Sequence, residues 1–155
     1  MLTFRIICAI FVAWAVNWAL GRPEAAELMA ELPQMRIFGP TAGAIIGYFN
    51  LAPRQGWGFI VAVANGVWAG LLSIILAGFL FIVVAVVVAL RDGYLHSFNQ
   101  FLNLVGTHGQ DLADQALDLP LLIVSLGATA VAGVVTEIAH WILVRLRRAR
   151  ERNGD

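Results

Sequence analysis

"WGFIVAVANGVWAGLLSIILAGFLFIVVAVVVAL", Trp57 to Leu90, runs for 34 residues without a charge. As α-helix it would be about 50 Å long, well beyond the ~30 Å hydrocarbon core of a bilayer. It is either one overlong helix or two short ones, and that choice decides the fold. A hairpin inside the run would need a breaker with polar groups at its tip. Its middle, "GLLSIILAGFLF", has no proline and only isolated glycines. Two halves of about 17 residues would also leave nothing for the turn. The run therefore reads as one long, tilted helix that projects past the bilayer. Its 20 Leu, Ile, Val and Phe residues favour insertion by at most about 6 to 12 kcal/mol.

The rest of the chain agrees with a membrane setting. Of 155 residues, 60% are apolar and only 13% charged, far from the soluble balance. The whole chain, 1–155, reads as a single transmembrane domain. Beside Trp57–Leu90 three further stretches are long and apolar: 3–20, 37–52 and 119–144. The first has a small-x-small triplet, Ala13-Trp14-Ala15, of the kind that ends a signal peptide. Its apolar run continues through two tryptophans and an asparagine, so it reads instead as a span. The expected fold is all-α: four transmembrane helices with an amphipathic helix at the outer interface.

All ten basic residues are arginine and the net charge is zero. Five of the ten fall in "RLRRARERNGD", residues 145–155. An arginine cluster just beyond a last span marks a cytoplasmic end, so this tail reads as topology and not as a nucleic-acid arm. With four spans the cytoplasmic side takes Arg5, Arg54 and the tail, and both termini lie inside. "APRQG", 52–56, is then a tight cytoplasmic turn joining spans two and three as an antiparallel hairpin. "GRPEAAELMAELPQMR" is a short outer loop with a helical turn after Pro23. The longer outer connection carries Tyr94, Phe98, Phe101, Leu102 and Val105 on one helical face, opposite His96, Asn99, Gln100 and Asn103, which suits the membrane interface.

Lipid tails compete equally for apolar side chains, so membrane helices associate through small residues and occasional polar bonds. Gly39, Gly43 and Gly47 recur every four residues in span two. Gly58, Ala62, Gly66 and Gly70 do so in span three, with Asn65 beside them. These glycine-zipper stripes are expected to pack the hairpin or to dock a partner. In span four Ser125, Thr129, Gly133 and Glu137 form one strip beside Ala132, Thr136 and His140. Glu137 and His140 therefore point toward other helices. An intramembrane carboxylate is by default a functional candidate, and Asn65, at a similar depth, or a neighbouring backbone group is its expected partner.

Enzymatic chemistry is not expected. No P-loop, paired CxxC, HExxH or G-x-S-x-G occurs. Glu137 and His140 have E-x-x-H spacing, but the di-iron bundles that use it need it twice with two further carboxylates. His108, Asp111 and Asp114 recur every three residues and read as a solvated helix face. No metal or other cofactor is expected, and Cys8 alone makes no disulfide framework.

Several pieces together carry a family likeness. They are the glycine-bearing second span, the turn Arg54-Gln55-Gly56-Trp57-Gly58 opening a long third span, the pair Asp92-Gly93 after it, and a last span ending in "AGVVTEIAHW". This order resembles the tellurite-resistance TrgA family of bacterial inner-membrane proteins over residues 37–144. The chain departs from that pattern at Arg91 and Tyr94, where the family pattern has tyrosine and proline. The first 36 residues match it poorly. The resemblance implies a non-enzymatic role in withstanding tellurite or a related stress at the inner membrane, with Glu137 the first position to test. The rival expectations are an accessory subunit or assembly factor of a larger respiratory or photosynthetic complex, and a small homo-oligomeric channel. Beyond these, the lipid bilayer is the expected partner.

Overall fold

The computed structural model describes residues 2–94, 97–116 and 118–152, and among these there is no strand. Six α-helices follow in order: α1 Leu2–Leu20, α2 Ala26–Glu31, α3 Met35–Ile46, α4 Phe59–Arg91, α5 Phe98–Ala116 and α6 Leu119–Arg152. The stretch that decides the fold is one unbroken helix, α4. It ends where its sequence provides a stop. Gly93 takes φ +74°, the Tyr94 N–H donates to the Ala89 carbonyl and the Gly93 N–H to that of Leu90, which is the paired closure of a Schellman motif. The Asp92-Gly93 pair is thus a helix terminator.

Among the described residues three helices are long and apolar enough to cross a membrane: α1, α4 and the Leu119–Ala149 part of α6. The expected span at 37–52 takes a different form. Helix α3 has 12 residues and contains Pro40. It is continued without a break by a π-helical stretch, Gly47–Leu51, and a 3-10 turn, Ala52–Arg54. Between α1 and α3, Pro23 opens a 3-10 turn at Pro23–Ala25 that leads into α2. The expected helical turn is there. The Arg22 guanidinium lies 3.8 Å over the Trp18 ring, and Ala25 and Leu28 pack with Leu121 at the start of α6.

Helices α1, α3, α4 and α6 pack as a ring in which neighbours run antiparallel. The glycines make that possible, though not with the partners expected. The stripe of α3 does not face the stripe of α4. It faces α1, where a Cβ on Gly43 would lie 3.2 Å from the Val12 carbonyl oxygen and one on Gly47 only 2.5 Å from that of Cys8. The stripe of α4 faces α6, where a Cβ on Gly133 would lie 3.0 Å from the Cα of Gly66. Gly70 packs against Thr129. Four-residue spacing identifies a face that allows close approach, but not which neighbour fills it. Gly39 belongs to the α1 contact, near Val16 and Leu20. Gly58, expected in the packing stripe, is not part of it: a Cβ there meets nothing within 4 Å.

Helix α5 folds back along the second half of α4. The His108 ring meets the Phe81 ring edge-on at 5.7 Å, Leu112 is buried against Ala77 and Phe81, and Gln115 bonds Glu31 of α2. Phe98, Phe101 and Leu102 stay exposed. The side that meets protein is therefore His108 and Leu112, while the aromatic side, expected to face the membrane interface, has no protein beneath it. His96 lies outside the described residues. Asp111 and Asp114 are exposed.

Candidate functional site

Glu137 decides how the turn end of the bundle is built. Thr136 and Glu137 lie on the buried side of α6, fully covered. Thr136 returns its hydroxyl to the Gly133 carbonyl at 2.8 Å, so it needs no outside partner. A carboxylate so covered needs donors, because an unpaired buried charge costs several kcal/mol. It finds three. Oε2 accepts the Gly56 N–H at 2.7 Å. Oε1 accepts the Gly58 N–H at 3.1 Å and the Trp141 indole N–H at 3.0 Å.

The turn presents those two amides because of its glycines. Gly56 and Gly58 have φ of +98° and +97°, a region that side chains disfavour. Gly58, with ψ of 167°, lies in backbone space almost confined to glycine. Successive N–H groups turned to one side make a nest for an anion. Gly58 is also the N-cap of α4, which has no side-chain cap of its own. The carboxylate of α6 thus lies at the positive end of the α4 dipole and caps a helix 79 residues earlier in sequence.

Asn65 does not meet Glu137. Its Nδ2 donates to the Arg54 carbonyl at 3.2 Å. Asn65 binds the same turn from the α4 side, as Glu137 binds it from α6. Of the two expected partners, Asn65 or a neighbouring backbone group, it is the backbone that meets Glu137: two N–H groups of the turn satisfy the carboxylate at once, and Asn65 reaches for backbone of the same turn. His140 lies alongside: a Cβ on Gly56 would stand 3.0 Å from its Nε2, and its ring meets Phe4 of α1 edge-on at 5.3 Å. Trp141 also stacks on Phe59 at 6.5 Å. The E-x-x-H pair is therefore split between two jobs: the carboxylate holds N–H groups and the imidazole packs between the turn and α1. Among the described residues no group of three or more His, Cys, Asp or Glu could hold a metal.

Sequence reasoning missed two participants. Gly56 and Trp141 are direct donors to Glu137. Gln55 is 7% exposed, yet neither of its amide atoms reaches a protein partner, and the same holds for Oδ1 of Asn50 in the π-helical stretch. The Gly-x-Gly at 56–58 was the available signal for a turn that needs positive φ. Nothing in the sequence marks Gln55 as buried.

No family model matches the chain, and neither curated proteins nor solved structures give a match. What the geometry defines is a class: an all-helical protein with three helices fit to cross a membrane, closed at one end by a buried carboxylate.

Proposed function

We propose that this chain is a four-span protein of the bacterial inner membrane, with both termini cytoplasmic, that acts without catalysis in tolerance to tellurite or a related membrane stress. One observation supports the reading above others. Two of the motifs that carry the family likeness, the 54–58 turn and the Thr-Glu near the end of the last span, are bound to each other through Gly56, Gly58 and Glu137. Separate short motifs that form one hydrogen-bonded unit are better explained as a shared architecture than as accidents of apolar composition.

The four-span topology draws support from length and direction. The helical run 35–54 reaches about 30 Å at 1.5 Å per residue, enough for the hydrocarbon core. Neighbouring helices alternate in direction around the ring, as in an up-down bundle. The turn at 52–58 and the arginine-rich end of α6 then share one side, and the positive-inside rule makes that side cytoplasmic. α5, which folds back along the second half of α4, lies toward the opposite side, its exposed aromatic face toward lipid.

The test is tellurite sensitivity of a strain lacking this gene, complemented with wild type or with Glu137→Gln at matched membrane levels. The expected result is that deletion sensitises, wild type restores growth and the variant restores less. Unchanged tolerance in the deletion strain would refute the reading. The accessory-subunit alternative would then be tested by co-purification in mild detergent.

A further inference from the structure

The bundle contains a cavity of about 330 Å³, within the range of small-ligand sites, roughly 300 to 1,000 Å³. Its wall comes from α1, α3, α4 and α6, with Leu28 of α2 and Gly109 and Leu112 of α5 completing it. Among the described residues the lining carries no charge, and its only polar side chains are Ser73, Ser125 and Thr129. The Ser73 hydroxyl donates to the Ala69 carbonyl at 2.7 Å, and the Thr129 hydroxyl donates to carbonyls of its own helix. Those two hydroxyl protons are engaged within their helices. A polar head group entering this space would give up its hydrogen bonds to water and find few replacements, so the fitting occupant is hydrocarbon.

A second observation points the same way. Two helical glycines, Gly78 of α4 and Gly109 of α5, line the cavity and leave it open. A Cβ on Gly109 meets nothing within 4 Å, and one on Gly78 meets only Cδ1 of Leu112 at 3.9 Å. Unlike Gly66 or Gly133, neither glycine is required by a close helix approach. Glycine within a helix is less favourable than alanine, and protein interiors otherwise pack to crystal-like density. Both departures converge on one space.

We propose that this cavity takes one hydrocarbon chain from the bilayer, the acyl chain of a phospholipid or the tail of an isoprenoid lipid, with α5 closing one side. The inference rests on the membrane placement in the proposed function and not on tellurite tolerance. The full-length chain is reconstituted in bilayers containing, in turn, a phosphatidylethanolamine with a diazirine in its acyl chain and an isoprenoid alcohol with a diazirine in its tail. After irradiation, labelled residues are mapped by mass spectrometry. One probe is expected to label Ile74 and Leu112 in the cavity, and which one does so assigns the source. In G78L/G109L those labels are lost, while labels on the exposed Ile75 and Phe79 persist. Gly106→Leu, equally open but outside the lining, leaves the cavity labels intact. The proposal is overturned if neither probe labels Ile74 or Leu112 while Ile75 and Phe79 are labelled, or if cavity labels survive in the filled variant. If the double variant fails to fold, Gly109→Leu alone carries the comparison. Absence of label at Ile75 and Phe79 as well would overturn the membrane placement and the proposal with it.

Discussion

Glu137 combines what a protein interior ordinarily separates: a carboxylate and full burial, here joined by three N–H donors. Replacing it with Gln keeps one oxygen acceptor but turns an amide group toward an N–H donor. Because hydrogen bonds to charged groups contribute about 1.5 to 3 kcal/mol each, Glu137→Gln should lower stability by that order in a denaturation series in detergent micelles. Trp141→Phe, which removes one donor of three, should lower it less; an equal or larger loss would mean the indole and not the turn dominates the site. Gly56→Ala and Gly58→Ala should each cost on the order of 1 to 3 kcal/mol through backbone strain. Only Gly56 also crowds His140. A His140→Ala background should therefore recover part of the Gly56→Ala loss and none of the Gly58→Ala loss. The inward direction of Glu137 was legible from its place on the small-residue strip of α6. A backbone partner was one of two expected, but which amides would serve was not legible, because every residue but proline carries a backbone N–H, and only the glycines at 56 and 58 hinted that two would turn the same way.

For the helices, composition located the long apolar runs, and the absence of a breaker in Trp57–Leu90 identified α4 as one helix. What it could not do was pair the glycine stripes. A stripe states that a neighbour comes close; the identity of the neighbour depends on how four helices close into a ring, which is a property of all of them. The π-helical stretch at Gly47–Leu51 was equally hidden, since its residues are ordinary for a helix. The ring predicts a contrast between two glycines of α6. Gly133→Ala pushes a methyl against the backbone of α4 and should destabilise by about 1 to 3 kcal/mol, as overpacking does. Gly127→Ala, where a Cβ meets nothing within 4 Å, should be neutral or stabilise by up to about 1 kcal/mol. Equal effects in thermal denaturation of the purified variants would contradict the α4–α6 crossing.

Across the whole molecule, the four-span reading makes the two ends of the ring face different compartments. With Cys8→Ser as background, a cysteine at Gln34 or Ser97 should react with a membrane-impermeant maleimide from the periplasmic side. One at Arg54 or Arg148 should react only after the membrane is opened. Labelling of Arg54→Cys from outside would invert or break the topology. One end of the bundle is closed by a turn that a glutamate of another helix holds, and amide exchange reads that contact directly. Gly56 and Gly58 lie in a turn before α4 begins, and among the described residues their N–H groups bond only Glu137. In glycine-labelled protein in lipid, both amides should exchange slowly in wild type and fast in Glu137→Met, which keeps the side chain's length and removes its acceptors. Fast exchange in wild type, or unchanged protection in the variant, would contradict the clasp.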